Sequence, residues 1–480
     1  MRPFQILRLG CAFALAATLA AYTAAITLDR KATLDRISAP SLQGHVWFLA
    51  SDLLEGRDTP SRGLDIAAEY IAAQFRRAGL KPLGDDGYFQ TAQFIDTGQS
   101  VDGAELTVND LRIGKNELRI LSTGRADFSG IAPWKVTLKD VKPEEVEGKI
   151  VLAAVNGRLD PGVFTRLKPA AVILAYSGSS KSAEVTHRLE DAAQRRPFPI
   201  VRVYNREFSK LVQGAKPGVL DVKLGLHLRP PVEKPVSLRN VAGVLPGSDP
   251  TLAETYVLVT AHYDHLGMKP AGEGDLIYNG ANDDASGVAS VIEIAAALAA
   301  AKSGPRRSVV FIAYFGEEKG LLGSRYYGRH PLVPLNRTVA DLNLEHLGRT
   351  DGDTGKKVGA ATMTGFGYSD ITTAFQMAGK ATDVKIYDPE SNADTYFSRS
   401  DNQSLADQGV PATTILTVFE FPDYHKVGDE RDKLDYSNLE KVDRTIALTV
   451  MMIADDSQPP RWNEANPKTE KYLKAWREMK

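Results

Sequence analysis

Apolar runs in the second half of the chain alternate with helical patterns, and each run stops abruptly in residues that titrate. "TYVLVTA" leads into His262, Tyr263, Asp264 and His265, and "RSVVFIAYFG" into Glu317 and Glu318. "TVADLNL" leads into Glu345 and His346, and "PATTILTVFEF" into "PDYHKVGD" with His425. Between the first two lies "SGVASVIEIAAALAAAK", where Val288, Val291, Ile292, Ala295 and Leu298 recur at helical spacing. "SNLEKVDRTIALTVMMIADD" reads as a closing helix, with Ser437 and Glu440 spaced as a capping box. Continuous apolar strands separated by helices predict an α/β fold, a mixed and mostly parallel sheet covered by helices on both faces. In such sheets chemistry gathers at the carboxyl ends of strands, which is where these residues stand.

Upstream, "LDIAAEYIAAQFRRAGL" puts Ile66, Tyr70, Ile71 and Phe75 on one helical face, closed by Gly79. "AELTVNDLRI" reads as a hairpin. From 125 to 232, "GKIVLAAVNG", "AAVILAYSG" and "PFPIVRVYN" are short β runs bounded by Gly, Pro and Asn, and "RPPVEKP" is an extended linker. The expected organisation is 26–124 as the first part of a catalytic domain, 125–232 as an inserted β-rich domain, 233–456 as the main catalytic part and 457–480 as a polar, loosely held tail.

"MRPFQILR" followed by an alanine-rich apolar run to Ile26 has the build of a secretory signal over 1–25. An uncleaved membrane anchor is the alternative. The lone cysteine, Cys11, falls in this segment, so a cleaved chain has neither a disulfide nor a thiol nucleophile. The expected location is exported, periplasmic or extracellular, with a membrane involved only through an uncleaved segment. Lys+Arg number 58 and Asp+Glu 60, a net charge of −2 with no basic block. Nucleic acid is therefore not an expected partner, and nothing in the pattern sets an oligomeric state.

The titratable strand ends carry imidazoles and carboxylates with no thiolate, a donor set suited to zinc. His262 and His425 would serve one metal each, as would Glu318 and Glu345, with an aspartate from "NGANDDASG" between them. One carboxylate of that Asn-Asp-Asp run would bridge two cations while the other caps the helix that follows. Asp264, two residues beyond His262, lies on the same strand face and is placed to accept from the imidazole nitrogen that does not bind metal. Five ligands and a spare glutamate are what two open catalytic metals require. Glu317 and Glu318, neighbours at a strand end, point different ways.

"HYDHLG", "GANDDASG", "FGEEKGLLGS", "LNLEHLGR" and "DYHKVGDERDKLDY", taken together, resemble the di-zinc aminopeptidases related to glutamate carboxypeptidase and the transferrin receptor. "EEVEGKIVLAAVNG" and "PFPIVRVYN" resemble an inserted protease-associated domain. The resemblance implies two Zn2+ ions held by His262, Asp283, Glu318, Glu345 and His425, with Asp283 bridging. It further implies Glu317 as general base, Tyr424 as an oxyanion donor and a peptide as substrate. Asp284 matches the position after a peptide bond that the family often has in cis. Two departures stand out: Glu345 replaces a shorter aspartate, and Ser400-Asp401-Asn402 replaces Ser-Asp-His. The implied activity is removal of N-terminal residues. Carboxypeptidase or dipeptidase action, a non-catalytic receptor-like role and glutaminyl cyclase action are the alternatives.

Overall fold

A computed structural model describes residues 27–480 apart from 138–140, 156–163, 165–166, 179–184 and 195–197. The expected signal segment and Cys11 lie outside the described residues. The chain divides into two units, Met1–Ala92 with Leu238–Lys480, and Gln93–Ser237.

The centre of the first unit is a sheet whose strands follow the order Val232–Leu245, Ser308–Tyr314, Tyr256–His262, Thr338–Leu344, Ala412–Leu416, Ala360–Met363, Lys385–Ile386. Tyr256–His262 is parallel to both neighbours, and Thr338–Leu344 is parallel to Ala412–Leu416. Val232–Leu245 and Ala360–Met363 join antiparallel, so the sheet is mixed, as expected. Successive side chains of a strand face opposite sides, yet all seven residues of Ser308–Tyr314 are buried. Both faces are therefore covered. On one, Leu258, Val310, Ile312 and Tyr314 pack with Tyr327, Leu405, Trp462, Tyr472 and Leu473. Helix Ser286–Ala299 packs on the sheet and on the helices Ala39–Leu49, Arg62–Ala78 and Tyr436–Asp455.

Two sequence expectations need correction. The closing helix runs Tyr436–Asp455 and is capped by Asp435, whose side chain accepts the Asn438 N–H. The helix starts two residues earlier than the Ser437–Glu440 pair implied, so Ser437 lies inside its first turn and Asp435 takes the capping position. The segment after 456 is not loose, because Trp462, Tyr472 and Leu473 are buried and helix Glu470–Met479 follows. Its three apolar anchors are spread among many charges, which hid them in the composition.

The second unit holds a six-stranded sheet ordered Gly218–Val219, Trp134–Lys135, Ile150–Ala154, Ala171–Ala175, Ile200–Val203, Leu118–Ser122. The three "GKIVLAAVNG", "AAVILAYSG" and "PFPIVRVYN" runs supply its parallel centre. A four-stranded antiparallel sheet contains the expected hairpin, Glu105–Val108 with Leu111–Gly114. Both sheets contribute to one apolar cluster that includes Leu106, Ile120, Leu152, Ile173, Val201 and Leu226. Among the described residues no helix is long and apolar enough to cross a membrane.

Candidate metal centre

Four strand ends of the first unit bring the titratable residues together. His262 is the last residue of its strand, Glu345 follows Leu344 directly, and Glu317 and Glu318 follow Tyr314 after a two-residue turn. His425 comes from the loop beyond Ala412–Leu416 and sits in a left-handed conformation, φ 54°. Asp283 and Asp284 enter from the segment just before helix Ser286–Ala299, and the peptide bond between them is cis.

Asp283 is the hub, and its two oxygens face different groups. Oδ1 lies 3.2 Å from His262 Nε2, and Oδ2 lies 3.1 Å from His425 Nε2. Glu345 Oε1 stands 4.0 Å from His262 Nε2, and Glu318 Oε1 3.2 Å from His425 Nε2. The five residues expected as ligands thus fall into two sets joined by one carboxylate. The neighbouring Asp284 does the other job expected of the pair, accepting the Gly287 N–H at 3.0 Å and so capping the helix. Gly287 is required here, since a Cβ would stand 2.2 Å from the Leu344 carbonyl oxygen and 2.4 Å from the Asp284 carboxylate.

Charge is dense, and burial raises its cost. Burial alone would push the Asp283 carboxyl up; His262, His346 and His425 outweigh it and hold the group well below the usual range. Glu318 is drawn down to about 2, against burial and the repulsion of Asp283, by His265 and His425. His425 is raised to about 10, since Asp283 and Glu318 overcome the burial that disfavours its cation. Glu317 goes the other way. Loss of solvation lifts its carboxyl well above the usual range, Glu345 and Glu318 add to this, and His262 opposes it. Two adjacent glutamates therefore hold opposite proton affinities.

Asp264 holds this corner rather than the imidazole. Its Oδ1 accepts the Glu317 N–H at 3.0 Å and its Oδ2 the Thr59 hydroxyl at 3.1 Å. His262 Nδ1 meets the Asp264 main-chain oxygen at 3.2 Å and the carboxylate only at 3.6 Å. The carbonyl, not the carboxylate, fixes the His262 tautomer. Tyr424 stacks on His425 with ring centroids 4.0 Å apart, and burial, then Asp283 and Glu318, push its phenol further up.

Three supporting residues escaped the sequence reading. The Asp429 carboxylate accepts the N–H groups of Asn282 and Asp283 at 3.0 Å each. Asn282 Oδ1 accepts from Gly348 and Arg349 N–H at 2.8 and 2.9 Å, tying the aspartate segment to the chain after Glu345. Arg57 is fully buried and donates to the carbonyls of Tyr263 at 2.8 Å, Asn279 at 2.8 Å and Gly280 at 3.0 Å, and to that of Leu49. Burial lowers it to about 10, with Asp264, Asp284, Asp429 and Asp283 pulling back. The only signal in the sequence was the charge of "EGRD" and "GDERD", and charge does not distinguish a clamp from a solvated turn.

The donor atoms fit a metal. Glu318 Oε1 is buried without a hydrogen-bond partner although two imidazole nitrogens lie within 3.2 Å of it. Imidazole nitrogens and carboxylate oxygens converge on common space there, a donor set that suits a borderline cation such as zinc.

The fold is that of the zinc aminopeptidases. An aminopeptidase from Aneurinibacillus sp. strain AM-1 superposes with a TM-score of 0.55 at 20% identity, over 91% of this chain and 97% of that one. A zinc aminopeptidase from Bacillus subtilis superposes at 0.50 and 18%, over 88% and 97%. Residues 240–450 match the model of peptidase family M28. A probable zinc metalloprotease of Pyrenophora teres f. teres (strain 0-1) is 35% identical over 122 residues, 25% of each chain. A probable leucine aminopeptidase 2 of Aspergillus oryzae (strain ATCC 42149 / RIB 40) is 25% identical over 355 residues, 67% of this chain and 66% of that one. The chain thus spans about a quarter of the length of the first of these curated relatives.

Proposed function

We propose that the protein is an exported zinc-dependent exopeptidase that removes N-terminal residues from peptides. The observation that carries this reading is Asp283, whose Oδ1 and Oδ2 face two separate donor sets beside a glutamate of raised proton affinity. His262 and Glu345 would hold one zinc, Glu318 and His425 the other, with Asp283 shared. When bound, the pair would supply Lewis acidity to the scissile carbonyl and acidify the attacking water.

The rest falls to the chain's own groups. Glu317 takes the proton from water and returns it to the leaving amine, and its affinity, lifted by loss of solvation, suits it to hold that proton in between. The bond from Glu317 N–H to Asp264 fixes where the carboxylate stands. Tyr424, kept protonated by burial, donates its hydroxyl to the oxyanion that forms on the substrate carbonyl. Arg57 and Asp429 hold the Asn279–Asp283 segment so that the shared carboxylate keeps its place. Residues 125–232, within the second unit, are assigned as an inserted protease-associated domain, and residues 1–25 as the export signal.

A panel of aminoacyl nitroanilides, run beside N-blocked and C-terminally cleavable peptides, tests the reading. Turnover confined to substrates with a free α-amine is the expected result. Cleavage of blocked peptides with no action on free N-termini would replace aminopeptidase by carboxypeptidase action.

A further inference from the structure

The proposed centre employs one imidazole on each side of Asp283 and leaves His265 and His346 without a task. His265 is fully buried, and neither of its ring nitrogens has a hydrogen-bond partner. Buried polar groups in that state are rare and costly. Its Nδ1 lies 2.9 Å from Glu318 Oε1 and 3.9 Å from Asp283 Oδ2. The ligand atoms of His265, Asp283 and Glu318 all lie within 4.8 Å of one another. Glu318 Oε1 is likewise buried without a well-aligned hydrogen bond, close as the two atoms stand. Two donors facing one cation stand in that way.

His346 mirrors it on the other side. Its Nδ1 lies 3.0 Å from the Phe419 carbonyl oxygen, which can only accept, so this nitrogen carries the hydrogen. Nε2 is left to face Asp283 Oδ1 at 3.6 Å, too far for a good hydrogen bond and on the same side as His262. Phe421 and Tyr424 meet the ring edge-on, each with centroids 5.4 Å away, and hold it there. Consecutive strand residues point to opposite faces, but His346 adopts a left-handed conformation at φ 49°. That turn lets Glu345 and His346 both reach the centre, at a conformational cost that a residue with a Cβ rarely accepts without return.

We propose that the centre is a four-histidine one, with His346 joining His262 and Glu345 on the Oδ1 side of Asp283 and His265 joining His425 and Glu318 on the Oδ2 side. The proposal rests on the dinuclear reading above. Each ion then meets two imidazole nitrogens and two carboxylate oxygens from the protein, and the reacting water enters as a fifth neighbour, an expansion open to catalytic zinc.

The test uses the full chain reconstituted with zinc. Metal analysis comes first, and two zincs per chain are expected; fewer would overturn the dinuclear reading itself. Zinc X-ray absorption then counts imidazoles through their multiple scattering. Two imidazoles per zinc are expected, whereas one per zinc at full metal content overturns the four-histidine centre and leaves the dinuclear reading standing. The His265→Asn, His346→Met double variant should lower the count to one and weaken zinc retention against a chelator by at least roughly 10–100-fold, the loss seen even for groups that merely support ligands. A folded double variant with an unchanged count overturns the proposal, since a purely structural role would alter activity without altering the donors. Should the variant fail to fold, the count on the unmodified protein decides alone.

Discussion

Both units of this chain contain a sheet with a parallel centre of short, mostly apolar strands, and only one of them gathers chemistry. In the second unit, Ile150–Ala154, Ala171–Ala175 and Ile200–Val203 pair in parallel much as Tyr256–His262 pairs with its neighbours in the first. Ala171–Ala175 runs on into Tyr176 and Ser177, and Ile200–Val203 into Tyr204 and Asn205. None of these is a carboxylate or an imidazole. Among the described residues the second unit holds no group of potential metal ligands, while the first holds His265, Asp283 and Glu318. The architecture offers a place at the carboxyl ends of strands; the side chains decide whether anything happens there.

The most drastic way to erase the difference is Asp283→Ala. Removing the one carboxylate that both donor sets share should abolish binding of both metals and all hydrolysis, with the far-ultraviolet spectrum unchanged, turning the first sheet into a silent one like the second. Metal analysis beside circular dichroism checks this; a variant that keeps two ions would show that the hub lies elsewhere. Glu317→Gln should separate metal from chemistry. Both ions stay, and turnover falls about 10²–10⁴-fold, the usual worth of a positioned acid–base group. Normal turnover in a metal-replete variant would remove Glu317 from the mechanism.

These two residues were legible because their spacing is informative. Adjacent glutamates after an apolar strand, and an Asn-Asp-Asp run before a helix, are odd as solvated turns and apt as ligands, and the sheet brings them together as the strand order requires. That the first unit is an α/β sheet covered by helices followed from the same apolar runs, while the order of its strands did not. What stayed hidden was support that crosses long stretches of chain. Arg57 reaches carbonyls more than two hundred residues away at Asn279 and Gly280, and Asp429 holds amides of Asn282 and Asp283. A side chain that binds main-chain atoms leaves no pattern at the far end, because any residue there supplies the same carbonyl or amide. The packed C-terminal segment was missed for a related reason, as Trp462, Tyr472 and Leu473 show no periodicity of their own.

Asp429→Asn tests whether that hidden support matters to the contrast. An amide is a weaker acceptor than a carboxylate for the Asn282 and Asp283 N–H groups, and it removes a negative charge that faces the buried Arg57. Zinc affinity should fall roughly 10–100-fold with little change in fold, read by competition with a chelator. Unchanged affinity would place the work of positioning on Arg57 and Asn282 instead.

The last effect is read in stability rather than in metal or turnover, and it sharpens the comparison inside the sheet itself. The first unit buries a carboxyl in mid-strand: Asp341 is fully buried and accepts the Thr260 hydroxyl at 3.0 Å. Burial raises it to about 8, Asp401 adds to this, and the Thr260 bond opposes. An unfolded aspartate loses its proton near pH 4, so between roughly pH 4 and pH 8 the folded chain binds more protons at this site than the unfolded one. Stability must then fall as pH rises through that window and level off above it, by an amount on the order of a few kcal/mol. Asp341→Asn keeps the acceptor for Thr260 and cannot ionise. Its stability relative to the unmodified protein, from denaturant unfolding of the zinc-loaded chains at matched pH, should improve steadily from pH 5 to pH 8 and no further. A difference that does not vary with pH would mean that Asp341 is ionised in the folded sheet and that its charge is met by a group other than Thr260.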